Sequence, residues 1–135
     1  MIEINNKTKY AVDKKVFSTV AKKVLLGENR ETQTISLAFV DKEEIKKLNK
    51  KFRKKNKPTD VLSFELNEGE NIGEIIICPE VVKENAAKYG VTAKSEMFKV
   101  FVHGILHLCG YDHEKSEKEA EVMEKKQENY LSIIK

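Results

Sequence analysis

The spacing of apolar positions divides the chain into nine predicted elements. Apolar residues at alternate positions, or in short β-branched runs, predict strands, whereas recurrence every three or four positions predicts amphipathic helices. The predicted strands are residues 1–5, 34–40, 60–66 and 72–78, and the predicted helices lie within 10–26, 41–57, 79–89, 93–109 and 116–134. The order βαβαββααα predicts an α/β (α+β) fold, in which helices pack on a small mixed sheet of about four strands.

Residues with special backbone preferences mark the ends of these elements. Asp41 is placed to cap the second helix, and Lys57 is expected to break it because a residue before proline is pushed out of helical dihedral angles. Residues 67–71 have the composition of a turn, which predicts a hairpin between the last two strands. The glycines expected to end helices are Gly27, Gly90 and Gly110, and the capping pair expected to open the last helix is Ser116 with Glu119.

The composition is that of a compact folded protein. The chain has 135 residues, of which 40% are hydrophobic and 35% charged, so we expect one domain over residues 1–135. Cys78 and Cys109 lie in apolar segments, which favours reduced, buried thiols and a cytoplasmic location. The first residues lack the apolar run of a signal peptide, and no apolar run is long enough to cross a bilayer. We therefore expect no membrane partner.

The charge is distributed unevenly along the chain. Residues 1–58 contain 16 Lys and Arg against 7 Asp and Glu, a net charge of +9, whereas residues 59–135 contain 9 against 15, a net charge of −6. Residues 46–57, KKLNKKFRKKNK, hold eight cations and no acid. We call this segment the basic block. Such a segment either attracts a polyphosphate or forms an ordinary solvated surface, and charge alone does not decide between them.

All three histidines of the chain lie in HGILHLCGYDH, residues 103–113. His103 and His107 are four residues apart in a helix that is apolar almost all round, so their side chains share one face. Gly110 can adopt a positive φ and turn the chain back, which would return His113 toward that face. Three neutral imidazoles predict a zinc ion with an open fourth position, as in catalytic sites. The first two histidines alone would equally suit a core pair without metal, and the third favours the metal.

The residues next to the histidines restrict the reactions that the predicted metal site could catalyse. Zinc proteases of the HExxH type carry a glutamate directly after the first histidine, and this chain has Gly104 there, which disfavours peptide hydrolysis by that mechanism. Asp112 is either an acceptor that fixes a histidine tautomer or a cap before the last helix. Cys109 is two residues beyond His107, about 200° around the helix, and is expected to face the core.

Five segments together suggest a family. They are Leu48-Asn49, Phe52-Arg53, PTDVLSF at 58–64, IGEI at 72–75 and HGILHLCGYDH at 103–113. In order and spacing, over roughly residues 30–130, they resemble the YbeY family of bacterial zinc-dependent endoribonucleases. The resemblance implies a compact α/β domain with a zincin-like metal groove. It also implies cleavage of single-stranded RNA, in maturation of the 16S rRNA 3′ end and in ribosome quality control, with the small ribosomal subunit as partner.

The resemblance also implies functional residues. It places the zinc ligands at His103, His107 and His113 and a catalytic arginine at Arg53, while Phe52 stands where many members have tyrosine. The side-chain chemistry independently supports a role for Arg53 in phosphate binding, because a guanidinium suits a phosphate better than an ammonium does. The alternative is that Arg53 is an ordinary exposed cation at the end of a helix. The lysines expected to follow the RNA backbone are Lys50, Lys51, Lys54, Lys55 and Lys57.

The sequence is compatible with three functions. The leading hypothesis is a zinc-dependent, single-strand-specific endoribonuclease that acts on rRNA as a monomer. The second is an rRNA-binding assembly factor whose metal is structural, and the third is a metallohydrolase with another substrate. The chain has no tryptophan and only 7% aromatic residues, which argues against an extended surface for stacking bases.

Overall fold

The elements of the folded chain follow the predicted order. The computed structural model describes residues 2–112 and 114–134, with the backbone alone at residues 67 and 68. Within these ranges the strands are β1 (Ile2–Asn6), β2 (Thr34–Phe39), β3 (Val61–Glu68) and β4 (Asn71–Ile77). The helices are α1 (Lys14–Gly27), α2 (Lys42–Arg53), α3 (Pro79–Tyr89), α4 (Ala93–Leu108) and α5 (Glu117–Ile133).

The strands form one mixed sheet in the order β1-β2-β4-β3. β2 pairs in parallel with both β1 and β4, and β3 pairs antiparallel with β4 through the predicted hairpin. The four-stranded mixed sheet and the α+β class predicted from the sequence are therefore confirmed. β3 is the strand at one edge of this sheet, and its position matters for the functional site.

The two faces of the sheet bury different helices. Residues that alternate along the strands share the main core with α1, α4 and α5; from the sheet these are Ile35, Leu37, Phe39, Ile75 and Ile77. The opposite face forms a second, smaller core with α2, made of Val40, Ile45, Leu62, Ile76 and Cys78. The strand period of two thus sends neighbouring side chains into different layers. In β3, Leu62 and Phe64 face the α2 layer, whereas Val61 packs with the α4 layer.

Side-chain caps fix the starts of the helices as predicted. The Asp41 carboxylate accepts a hydrogen bond from the Glu44 N–H at 2.9 Å, and the Ser116 hydroxyl accepts one from the Glu119 N–H at 3.1 Å. Each satisfies a backbone donor that the first helical turn leaves unpaired. The expected start of the first helix at residue 10 was wrong. Asp13 caps α1 by accepting from the Val16 N–H, so regular helix begins only at Lys14.

The end of α2 also differs from the prediction. The helix stops at Arg53 rather than at Lys57, because Lys54 adopts the left-handed conformation with φ 59°. Asn49 explains this early end. Its side chain is 2% exposed, and its Nδ2 donates to the Lys57 carbonyl at 2.9 Å. The amide thereby satisfies a buried polar group and ties the loop after the helix back onto α2.

Glycines serve two different purposes in this fold. Gly90 and Gly110 have φ of +69° and +103°, as expected of residues that end helices. α1 ends at Gly27 as predicted, but Gly27 itself does not have a positive φ; the left-handed residue of this turn is Asn29, with φ 60°. A Cβ at Gly27 would overlap the ring of Tyr130. The glycine is required there because α5 approaches α1 closely.

The two cysteines agree with the expectation of reduced thiols in apolar surroundings. Cys78 is buried and Cys109 half-buried, and both are free thiols. Burial raises the pKa of both, that of Cys109 to about 11, so both thiols stay protonated near neutral pH. Among the described helices, none combines the length and the apolar character needed to cross a membrane.

Candidate metal centre and basic face

His103 and His107 lie one turn apart in α4, the helix at the centre of the main core. Their neighbours Val102, Leu106 and Ile105 are fully buried, whereas the two imidazoles are half-buried. The helix therefore holds both rings at the edge of the core and within reach of solvent. This is the shared face that the four-residue spacing predicts.

Each ring is held through its Nδ1 atom. Nδ1 of His103 lies 2.9 Å from Oε1 of Gln127 in α5, and Nδ1 of His107 lies 3.1 Å from the backbone oxygen of Tyr111. Amide and carbonyl oxygens only accept hydrogen bonds, so each Nδ1 must carry a proton. In the neutral rings Nε2 then carries the lone pair. Histidines that bind metals show this arrangement, in which an oxygen acceptor on one nitrogen fixes the tautomer that presents the other. The two rings therefore fit a zinc ion chemically.

The third predicted ligand, His113, lies outside the described residues. Within residues 2–112 and 114–134, no three histidine, cysteine, aspartate or glutamate side chains come together as a metal-binding group. The described part of the chain therefore supplies two imidazoles, and the three-histidine set remains a prediction. The turn before His113 has the expected backbone, since Gly110 has a positive φ and the Tyr111 N–H donates to the Leu106 carbonyl at 3.1 Å.

The segment that holds His107 is itself fastened to the loop after α1. The Tyr111 hydroxyl donates to Oε1 of Glu28 at 2.7 Å, and the Tyr130 hydroxyl donates to Oε2 of the same carboxylate. Lys126 lies 3.5 Å from that carboxylate, whose side chain is 8% exposed. Arg30 adds a hydrogen bond of 3.3 Å to the Cys109 carbonyl. The backbone oxygen that orients His107 is thus positioned by residues about 80 positions earlier in the chain.

Charge and burial shift the pKa values in this cluster. Burial would raise the pKa of Glu28, but hydrogen bonds from Tyr130 and Tyr111 and the charge of Lys126 outweigh it and lower the pKa. Burial and the Glu28 carboxylate raise the pKa of Tyr111 to about 12 and raise that of Tyr130 further. At neutral pH the cluster is therefore one carboxylate that accepts from two protonated phenols.

These shifts predict a loss of stability at alkaline pH. Because folding raises the pKa of Tyr111 and Tyr130, their contribution to stability is complete below pH about 10 and is lost as the pH rises toward about 12. Urea unfolding measured from about pH 8 to 12 should show this decline. The double variant Tyr111→Phe/Tyr130→Phe should start less stable and decline less over the same range. Parallel declines in the two proteins would contradict the assignment, because the two proteins differ only in these two hydroxyls.

Packing explains why Gly104 follows the first histidine. A Cβ at this buried position would lie 3.1 Å from Oγ of Ser63 and 3.2 Å from two carbons of Ile75. α4 lies directly on β3 and β4 here, so any side chain at this position would crowd Ser63 and Ile75. The residue that disfavours the HExxH protease mechanism thus also fits the close packing of α4 on the sheet. Asp112, for which two roles were open, accepts from the Glu114 N–H at 2.9 Å and so stabilises the turn before α5.

Arg53 and the basic block lie in a different layer from the histidines. Arg53 is the last residue of α2, which packs on the sheet face opposite α4. The predicted RNA-binding lysines share an exposed surface with it; they are Lys50, Lys51, Lys54, Lys55 and Lys57. Among the ion pairs formed within the described residues, none involves Arg53 or these lysines. The sheet separates the two layers, and β3 lies at one of its edges.

Sequence reasoning missed the residues that orient the histidines. Gln127 carried a signal, because it is a polar residue on the apolar face of the last helix, between the core positions Met123 and Tyr130. Glu28 carried none, since its partners Tyr111 and Tyr130 are 83 and 102 residues away. The role of the Tyr111 carbonyl likewise depends on the backbone path after α4.

One protein-family model matches almost the whole chain. Residues 3–135 match the family described as Endoribonuclease YbeY. The match includes residues 3–30, which lie before the segments that carry the resemblance in the sequence.

Relatives with the same description come from several bacteria. A protein of Thermotoga maritima is 45% identical over 100 residues, 74% of this chain and 67% of that protein. One from Thermotoga neapolitana is 50% identical over 99 residues, 73% of this chain and 66% of that protein. One from Bdellovibrio bacteriovorus is 38% identical over 125 residues, 87% and 83% of the two chains. All three are named Endoribonuclease YbeY.

A solved structure shares the fold. The solution structure of a Thermotoga maritima protein superposes with a TM-score of 0.75 at 36% identity, covering 99% of this chain and 89% of the other.

Proposed function

Because this chain belongs to the endoribonuclease YbeY family, we propose that it is a zinc-dependent hydrolase that cleaves single-stranded RNA during rRNA processing. Residues 1–135 form one catalytic domain in this proposal, which acts as a cytoplasmic monomer on rRNA of the small ribosomal subunit. The observation that carries the proposal is the pair of histidines whose Nδ1 atoms are both bound by oxygen acceptors.

The proposed zinc ligands are Nε2 of His103 and His107, together with His113. When bound, zinc supplies Lewis acidity for attack on a phosphodiester. The chain's own contribution is orientation, since Gln127 and the Tyr111 carbonyl hold two rings in the tautomer that a metal requires. Zinc suits a set of neutral nitrogen ligands better than magnesium or calcium does, because those ions prefer oxygen.

In this proposal Arg53 binds a phosphate of the RNA. Its guanidinium is exposed, and its planar fork of N–H donors can bind two oxygens of one phosphate. The neighbouring lysines raise the local concentration of a polyanion. The lysines of the basic block contact the RNA backbone without reading its sequence, so affinity should fall steeply as salt rises. The guanidinium holds the strand while the histidine side of the molecule carries the reaction.

Cleavage of a single-stranded 16S rRNA 3′ fragment, compared with the same fragment annealed to its complement, tests the function. The single strand should be cut and the duplex should not. Arg53→Ala should lower kcat/KM on the order of 100-fold and Arg53→Lys less, because the lysine keeps the charge and loses the planar fork. Lys88→Ala, which removes a cation from the last turn of α3, is the matched control and should leave cleavage unchanged.

The outcomes separate the proposed functions. Cleavage that survives in Arg53→Ala would contradict the role given to that residue. Binding of rRNA without any cleavage, in protein that contains zinc, would favour the assembly factor with a structural metal. Neither binding nor cleavage of RNA would contradict the proposal as a whole.

Replacement of Gln127 should weaken zinc binding. Gln127→Leu removes the acceptor for Nδ1 of His103 and should lower zinc affinity about 10- to 100-fold in competition with a chromophoric chelator. Gln127→Glu keeps an acceptor and should retain affinity. Long-range ¹H–¹⁵N spectra of the metal-free proteins should show the Nδ1–H tautomer of His103 in wild type and Gln127→Glu, and a mixture in Gln127→Leu. Equal zinc affinity in all three proteins would contradict the orienting role.

A further inference from the structure

Phe52 is an exposed aromatic residue in the middle of the basic block. It lies in the last turn of α2, directly before Arg53, and 56% of its surface is exposed. An apolar ring with that exposure contributes little to the core. The Nζ atom of Lys51 lies over the ring, 5.2 Å from its centroid. The ring thus sits on the surface among cations that are available to a polyanion.

The Phe52 ring is supported from below. It meets the half-buried ring of Phe64 edge to face, with centroids 5.1 Å apart and an interplanar angle of 61°. Phe64 comes from β3 and packs against the smaller core. The backbone beyond Phe52 is also fixed, because Asn49 binds the Lys57 carbonyl. The ring is therefore already ordered before a ligand binds, which lowers the entropic cost of stacking a ligand on it.

A second exposed aromatic shows what is particular to Phe52. Tyr89 is 59% exposed and has the Nζ atom of Lys99 5.6 Å from its ring centroid, so both its exposure and its lysine contact are similar to those of Phe52. Its sequence neighbourhood, KENAAKYG, mixes one acid with two lysines, whereas the basic block has eight cations and no acid. Only Phe52 of the two combines an exposed ring with a dense cationic surface, which is the combination that binds single-stranded nucleic acid.

We propose that Phe52 is the stacking site for one unpaired nucleobase of the RNA substrate, while the flanking cations bind the phosphates on either side. The proposal rests on the proposed function, which supplies the RNA. A base in a duplex already has neighbours on both faces, so only an unpaired base offers a face to Phe52. The ring would therefore contribute to the preference for single strands. The stacked base lies on the α2 side of the sheet, whereas the histidines lie on the α4 side.

A tryptophan at residue 52 tests the stacking directly. The chain contains no tryptophan, so Phe52→Trp and Tyr89→Trp each carry one fluorescent reporter at similar exposure. Titration with a 2′-O-methyl RNA oligonucleotide should quench Phe52→Trp by half or more and leave Tyr89→Trp nearly unchanged. The same oligonucleotide annealed to its complement should quench neither. In parallel, Phe52→Leu should weaken single-strand binding about tenfold by fluorescence anisotropy and leave duplex binding unchanged, while Phe52→Tyr should bind like wild type.

Each outcome of this experiment has a distinct meaning. Single-strand binding by wild type without quenching of Phe52→Trp would overturn the stacking site and leave the proposed function intact. Equal quenching of the two reporters would also overturn it. A loss of duplex and single-strand binding to the same extent in Phe52→Leu would assign the residue to packing alone. No RNA binding by wild type would overturn the proposed function itself, and the stacking site with it.

Discussion

His103→Ala and His107→Ala should each lower RNA cleavage on the order of 1000-fold. The loss of an outer partner of a metal ligand costs about 10- to 100-fold, and the loss of a ligand itself should cost more. Alanine is the best helix former, and both imidazoles are half-buried, so α4 should remain folded in the variants. The measurement is kcat/KM on the single-stranded rRNA fragment, with circular dichroism to verify the fold.

Cys109→Ala is the matched control for the histidine variants. Cys109 ends the same helix, is half-buried, and carries a side chain able to bind zinc in principle. Burial raises the pKa of its thiol to about 11, so it is a poor ligand near neutral pH, and cleavage should persist in the variant. Full activity in a folded histidine variant, or loss of activity in Cys109→Ala, would place the reaction elsewhere.

Gly73→Ala should destabilise the fold by about 3 kcal/mol, near the upper end of the cost of overpacking a core. A Cβ at this buried position in β4 would lie 2.5 Å from the backbone oxygen of Phe64 and 2.5 Å from Cδ2 of Leu108. The first contact would force β3 away from β4, and the second would displace the last turn of α4 beside His107. Neither a backbone oxygen nor a buried leucine can move aside cheaply. The measurement is the free energy of unfolding in urea.

Gly69→Ala separates packing from backbone strain. Gly69 lies at the turn of the same hairpin with φ +64°, and a Cβ there would have no atom within 4 Å. Its replacement should cost only about 1 kcal/mol, the penalty of the left-handed conformation for a residue with a side chain. If the two variants lost equal stability, close packing at Gly73 would not be the cause.

The fold was predictable where its signals are local. Asp41 and Ser116 cap helices through hydrogen bonds that span three residues, and Gly90 ends α3 by its own conformation. The prediction failed at the end of α2, where the buried side chain of Asn49 binds a carbonyl eight residues away. The apolar spacing of residues 10–26 also overstated α1, because it does not report the cap at Asp13. Hydrogen bonds of the Asn49 and Asp13 side chains, which the apolar spacing does not report, set these ends.

The candidate site was likewise predictable only where its signals are local. The shared face of His103 and His107 follows from four-residue spacing within one helix. The acceptors that fix their tautomers do not, because Gln127 lies 24 residues beyond His103 and reaches it only through the packing of α5 on α4. The separation of Arg53 from the histidines follows from sheet topology, since α2 and α4 occupy opposite faces. The order of the motifs along the sequence does not show on which face of the sheet each motif lies.

The zinc content of the purified protein tests the central claim most directly. Protein prepared without chelators and without a histidine tag should contain one zinc ion per chain by elemental analysis, and His103→Ala and His107→Ala should contain almost none. Cys109→Ala should match wild type. Wild-type protein without zinc, or folded histidine variants with the same zinc content as wild type, would contradict a zinc centre on α4.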